Sequence, residues 1–348
     1  MLKRLNPTSN TKLMRNRFSG REKPYHALDD YLKGLYGEKI YKIAIDGGFT
    51  CPSRDGTLDT RGCIFCSARG SGDFSVSCKN YPDINSQIER GISLFGGKQI
   101  GKRYIAYFQA FTNTYASAGY CKKLYFQALS HPKICGISIA TRPDCLPEEI
   151  VNVLKECQNA FPDKMIWVEL GLQTCHDKTA AYIRRHYPLT TATTAIWRLQ
   201  ECNIPVIVHV ILGLPGETAE MMLQTIDYVN QMSVSGIKLQ LLHVLKGTDL
   251  AKDYVNHSFS VLTKESYLDL LIQCLEHLNP DIVIHRLTGD GPKDLTIAPL
   301  WSLNKRDVLN SLHHMLKERH TWQGRLYTED YHKQRLNNDI IIQAKLNK

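Results

Sequence analysis

From residue 41 to residue 286 the chain alternates between short β-rich runs and amphipathic helical segments. Strand signals fall at 41–44, 104–110, 134–140, 165–172, 204–212, 237–244 and 281–286. Helical signals fall at 27–37, 85–95, 118–129, 148–159, 177–185, 191–202, 218–232 and 264–278. In 148–159 the apolar residues Ile150, Val153, Leu154 and Cys157 recur at helical spacing. The run 204–212 is apolar almost throughout, as a strand buried on both faces is. Alternation of this kind predicts right-handed β–α–β units and a parallel sheet of roughly six or seven strands. Polar residues collect where strands end: Thr50 and Cys51, Gln109, Thr141 and Arg142, Gln173, and 215–217. Barrel enzymes gather their chemistry on that face. No G-x-G-x-x-G turn follows the first strand, which argues against a doubly wound dinucleotide fold. The expected class is therefore α/β, a partial, open barrel of (β/α)6 type spanning 25–292. A basic arm over 1–24 precedes it and a helical extension over 293–348 follows. In that extension Asn304 is placed to cap a helix whose apolar stripe is Val308, Leu312, Met315 and Leu316.

The loop after the first strand, 48–72, is rich in Gly, Asp and Thr and carries Cys51, Cys63 and Cys66. The last two form a C-x-x-C turn, and eleven residues separate Cys51 from Cys63. Structural cysteines do not gather in such a polar loop, so the set reads as metal ligands. Structural zinc prefers four ligands, usually as two close pairs. One pair plus an outlier favours an iron–sulfur cluster, which is held by thiolates. Three thiolates on a four-iron cube leave one iron open to a small molecule. The other eight cysteines lack cluster spacing and read as core or surface thiols.

The 348 residues carry a formal charge of +9, which permits an anionic partner such as nucleic acid. Seven of the basic residues lie in the first 23 against one acid, Glu22, so that arm reads as a solvated tail or as a phosphate-binding one. No apolar run approaches 18 residues, and the N-terminus has no apolar signal region. Eleven cysteines without such a signal point to a reducing, cytoplasmic setting and no membrane. His209, His243 and His285 each interrupt an apolar strand; they read as satisfied core histidines or, alternatively, as proton donors or substrate contacts.

Four further stretches carry a resemblance: Ala140-Thr141-Arg142-Pro143-Asp144, Glu169-Leu170-Gly171-Leu172-Gln173-Thr174, Gly213-Leu214-Pro215-Gly216-Glu217-Thr218 and His285-Arg286-Leu287-Thr288-Gly289-Asp290. With the cysteine loop, they make the chain similar to radical S-adenosylmethionine (radical SAM) enzymes. The closest likeness is to the YtqA/YhcC group, relatives of the catalytic subunit of Elongator. The long first cysteine spacing is that of Elongator-like members. The resemblance runs over roughly 25–310 and implies a partial (open) (β/α)6 radical SAM barrel. Two stretches depart from it. Gln109–Thr114 stands where many relatives have G-G-E, as is usual in this subgroup. Arg184-Arg185-His186-Tyr187 replaces N-R-G-H, and only Arg185 fits that pattern.

The resemblance implies a [4Fe-4S] cluster on Cys51, Cys63 and Cys66, with S-adenosylmethionine as the second cofactor. It implies that Gln109, Asn113, Thr141, Glu169, Gln173 and Arg185 hold S-adenosylmethionine, Glu169 through the ribose hydroxyls. Arg142 and Arg286 are the expected catalytic-site cations for an anionic substrate group, because guanidinium pairs bidentately with carboxylate. The implied reaction modifies tRNA at the wobble uridine, converting 5-carboxymethylaminomethyl(-2-thio)uridine to 5-aminomethyl(-2-thio)uridine. The implied partners are the tRNA anticodon stem-loop and a reductant such as flavodoxin or ferredoxin. Two rivals remain: a radical SAM enzyme with a small-molecule or protein substrate, and a non-catalytic, metal-stabilised RNA-binding protein.

Overall fold

A computed structural model of the chain describes residues 17–96 and 101–328. Most of the expected N-terminal arm and the tail after residue 328 lie outside the described residues. Helix α1 (Leu28–Tyr36) leads into β1 (Tyr41–Ile45), and a long loop then reaches α2 (Ile84–Ser93). Strict alternation follows: β2 (Tyr104–Phe108), α3 (Ala118–Ser130), β3 (Ile134–Thr141), α4 (Glu148–Ala160), β4 (Met165–Gln173) and α5 (Asp177–Tyr182). Next come α6 (Leu189–Glu201), β5 (Val206–Leu212), α7 (Ala219–Gln231) and β6 (Gly236–Leu241). The chain ends its described course with β7 (Val244–Leu245), α8 (Asp249–Val255), α9 (Lys264–His277), β8 (Val283–Arg286), β9 (Thr296–Ala298) and α10 (Lys305–Glu318).

Seven strands pair in parallel in the order β1-β2-β3-β4-β5-β6-β8. They form the curled half-barrel expected of the chain, with one strand more than a (β/α)6 count. Strand β7 leaves it to pair antiparallel with β9. The expected strand 237–244 therefore stops at Leu241, and its last residue belongs to another sheet. Asp83, Ser117, Thr218, Thr248, Thr263 and Asn304 each accept backbone N–H bonds at a helix start. Two short bridges cover the open edges of the sheet. Val76 N–H donates to Ala44 O beside β1, and Ile284 N–H of β8 donates to His26 O.

Three apolar clusters set the axis of the barrel. The largest lies between the outer face of the sheet and helices α2, α3, α4, α6, α7, α9 and α10. A second, with Ile105, Trp167, Ile207 and Leu32 of α1, plugs the bottom. A third, with Ile64, Ile183, Leu242 and Leu250, packs at the mouth beside the cysteine loop. Between plug and mouth the inner face is polar. Because side chains alternate along a strand, Tyr107 and Gln109, Glu169 and Gln173, His209 and Ile211, and Lys238 and Gln240 all line one chamber.

Candidate active site

The cysteine loop is pinned from both sides. Gln87 of α2, fully buried, accepts from Asp46 N–H and donates to Asp46 O, each at 2.8 Å. Arg54 donates to the carbonyls of Cys66 (3.2 Å) and Ser67 (2.7 Å) and so fixes the C-x-x-C turn. Above the turn runs a strap, 183–187, where α5 ends earlier than its sequence suggests. Arg184 and His186 both take positive φ there. Ile64 N–H donates to Ile183 O, and Cys63 Sγ sits 3.9 Å from Arg184 O.

Cys51, Cys63 and Cys66 all border the chamber. The Cys66 thiol is lowered to about 7, first by the hydrogen bond from Cys63 and then, against burial, by Arg54; Cys63 is pushed up by the same bond. Among the described residues no three His, Cys, Asp or Glu side chains gather as a single-ion site would gather them. A cube spreads its thiolates over different irons, so this donor set suits a cluster better than zinc.

Of the other expected site residues, all but one border the same chamber: Gln109, Thr141, Arg142, Glu169, Gln173, Arg185 and Arg286. Asn113 is fully buried behind the wall and donates to Ala140 O at 2.8 Å. Gln109 Nε2 donates to Ser71 O at 2.8 Å. Thr141 shares a 2.6 Å hydroxyl contact with Thr114. Gln173 ends β4 at φ 69°, and its Oε1 is buried without a hydrogen-bond partner. A buried, unpaired amide oxygen on the chamber wall is costly unless a ligand donates to it. The wall therefore fits a polar small molecule beside the cysteines. Gly171 leaves room for that amide, since a Cβ there would stand 3.0 Å from Gln173 Nε2.

Both loop arginines are already engaged. Arg142 holds Asp144 through two bonds, Ser53 Oγ at 2.8 Å and Arg185 O at 2.9 Å. Arg185 donates to the carbonyls of Thr174 (2.6 Å), Leu172 (3.2 Å) and Tyr187 (3.1 Å). Both guanidiniums lie over the Tyr187 ring, 5.1 and 4.8 Å from its centre. These arginines tie the strap to β3 and β4. Arg286 pairs with Asp290 at 3.2 Å, and Lys305 holds the same carboxylate at 2.9 Å.

Glu169 stands in the middle of β4 and is fully buried. Its Oε1 accepts from Lys42 (2.7 Å) and Ser138 (2.5 Å). Its Oε2 accepts from His209 (2.7 Å) and from Lys238. Burial alone would raise its carboxyl, but Lys238, Lys42 and His209 outweigh burial and hold it well below the usual carboxylate range. Burial and then Lys238 lower His209 to about 4. Burial and then Lys42 lower His285 well below its ordinary value. Both imidazoles are thus uncharged at neutral pH. Lys42 and Lys238, one residue on each of two strands, escaped the sequence reading. A lone lysine inside a strand gives no motif, and only the curl of the sheet brings β1, β4 and β6 onto one carboxylate.

Residues 60–229 match the Radical SAM superfamily, and residues 234–318 match the Radical SAM C-terminal domain. The chain is 41% identical over 310 residues to YtqA of Bacillus subtilis (strain 168), covering 89% of this chain and 95% of that one. It is 34% identical to YhcC of Escherichia coli (strain K12), covering 83% and 91%. Elongator complex protein 3 of Drosophila melanogaster is 22% identical over 56% of this chain and 35% of its own length. Among solved structures, Elp3 of Methanocaldococcus infernus superposes with a TM-score of 0.60 at 14% identity, covering 82% of this chain. The chain spans 64% of that Elp3 chain. At those identities the structural likeness speaks for the fold. Among the described residues no helix is long and apolar enough to cross a membrane.

Proposed function

We propose, from the premise that this chain belongs to the radical SAM superfamily and its YtqA/YhcC group, that it is a tRNA-modifying enzyme acting on the wobble uridine. Its cofactors are a [4Fe-4S] cluster and S-adenosylmethionine. When bound, they supply reductive cleavage of a sulfonium and so hydrogen abstraction from an unactivated carbon. Everything else falls to the protein: holding, orienting and keeping water out.

The observation that carries the reading is the single chamber running from the cysteines at the mouth to the cationic floor. Cys51, Cys63 and Cys66 hold the cluster. Gln109, Thr141 and Gln173 face the space beside them and take the polar groups of S-adenosylmethionine. Asn113, Arg142 and Arg185 act through the loops that they brace. Glu169, with both oxygens occupied, orders the floor cations. Arg286 turns toward the substrate. The proposed domains are a barrel over 25–292 and a helical extension after it, with the basic arm gripping the anticodon stem. A flavodoxin or ferredoxin delivers the electron.

The RNA part of the reading is supported by the likeness to the Elongator-related group and by the net charge of +9. The reaction proposed is conversion of 5-carboxymethylaminomethyl(-2-thio)uridine to the 5-aminomethyl form. Nucleoside mass spectrometry of tRNA from cells lacking the protein tests it. Accumulation of the carboxymethylaminomethyl nucleoside is the expected result; an unchanged profile overturns it. Affinity for tRNA should fall steeply with salt. Cleavage of S-adenosylmethionine that never requires RNA would favour a small-molecule or protein substrate instead.

A further inference from the structure

Inside the chamber wall one carboxylate, Glu169, faces two ammonium groups, Lys42 and Lys238. The remaining neighbours do not restore the balance. His209 and His285 are uncharged, Tyr107 meets Lys238 with a neutral hydroxyl at 3.0 Å, and Arg286 is matched by Asp290, whose second cation, Lys305, is half exposed and solvated. One unit of positive charge is thus left over whenever Lys238 carries its proton, and Lys238 is 5% exposed. An unmatched buried charge is expensive.

The position of the surplus is informative. Lys238 borders both the chamber below the cysteines and a second cavity. That cavity is bounded by Lys42 and Ala44 of β1 and by His285 and Arg286 of β8, the two terminal strands of the sheet. Lys42 Nζ is used up on Glu169, Ser138 and His285. Protonated, Lys238 Nζ has two partners, Glu169 and Tyr107, for three N–H donors. The free donor and the free charge therefore sit on the same atom.

We propose that Lys238, flanked by Lys42 and Arg286, seats a carboxylate carried by the substrate, admitted through the opening between β1 and β8. A single surplus charge matches a monoanion, not a phosphomonoester. The carboxylate of S-adenosylmethionine has the same chemistry, but the polar groups fitted to that cofactor stand at the mouth, beside the cysteines. This assignment rests on the tRNA reading above only in naming the uridine side chain as the carrier of that carboxylate.

The test uses the reconstituted, unreduced full chain loaded with S-adenosylmethionine. Isothermal titration compares the nucleoside 5-carboxymethylaminomethyluridine with its methyl ester, and sarcosine with sarcosinamide. The wild-type protein should bind each acid at least tenfold more tightly than its neutral partner. Lys238→Met should erase that preference, Lys238→Arg should restore most of it, and Arg286→Gln should reduce it by a smaller factor. Preference for sarcosine without preference for the nucleoside acid upholds the subsite and removes the uridine. Equal binding of acid and neutral partner by the wild type overturns the subsite, and this comparison needs no variant to fold. A Lys238→Met chain that loses S-adenosylmethionine but keeps the acid preference assigns the lysine to the cofactor and likewise overturns it.

Discussion

Arg142 and Asp144 are joined by two parallel hydrogen bonds, Nε to Oδ1 at 2.9 Å and Nη2 to Oδ2 at 2.7 Å. The pair turns the loop after β3 into a bracket for the strap over the cysteines. Burial opposes the charged guanidinium, and Asp144 more than restores it, so the pKa of Arg142 is raised. Asp144→Ala leaves a nearly buried cation with only Ser53 and the Arg185 carbonyl. The expected loss of stability is about 1–3 kcal/mol, read from the urea midpoint. A shift within error would mean that the bracket is dispensable.

Removing any one cluster thiolate should prevent retention of iron. Cys51→Ala, Cys63→Ala and Cys66→Ala should each lack the broad visible absorbance after anaerobic reconstitution. Cys78→Ala, twelve residues beyond Cys66, should keep it. Full absorbance in a Cys63→Ala chain would relocate the cluster.

An ammonium must carry its proton to take a carboxylate. Burial, then Lys42 and Arg286, lower Lys238 to about 7, with Glu169 opposing. The acid-over-ester preference should be greatest below pH 7 and fade as pH rises through that value. Tyr107, pushed well above its ordinary value by burial and then Glu169, stays neutral across the window, as do His209 and His285. The same shift bears on folding. Between about 7 and the ordinary lysine value of 10.5 the unfolded chain holds a proton that the native Lys238 has released, so this residue's contribution to stability rises with pH there. Lys238→Met should flatten both trends.

Gly91 of α2 faces β1 so closely that a Cβ would lie 2.1 Å from Ile43 Cγ2. Gly91→Ala should cost about 1–3 kcal/mol by forcing helix and strand apart. Gly34 of α1 meets nothing within 4 Å, so Gly34→Ala should stabilise by about 0.4–1 kcal/mol. Equal midpoints for the two variants would show that α2 is free to move away from β1.

The alternation of strands and helices was legible because most strands are apolar runs, the longer helices carry an apolar stripe, and six helices start on a side-chain cap. The cysteine trio stood out because three thiols gather in a Gly-rich loop, and the fold sets all three on the border of one chamber. What stayed hidden depends on contacts between distant strands or on short-range pairing. Glu169 looked like a ribose ligand because its motif, not its depth, was visible. Lys42 and Lys238 looked like nothing at all, since 196 positions separate them and Glu169 lies on a third strand. Arg142 and Arg286 looked free, although each finds an acid on its own loop, two and four residues on. The first part of the strap, 183–185, continued the helical pattern on paper, but positive φ at Arg184 and His186 ends it. Its purpose, roofing the C-x-x-C turn, is a tertiary fact.

The charged floor of the barrel draws on β1, β2, β4, β5 and β6 at alternate positions, with Leu170, Val210 and Leu239 facing the opposite way into the helix layer. Sliding β1, β4 or β6 by one step would drive an ion into that greasy layer and strand its counterion inside, and sliding β2 or β5 would bury a polar ring there. The groups that recognise a ligand therefore also censor misassembly: a wrongly threaded sheet is penalised during folding, before any cofactor arrives.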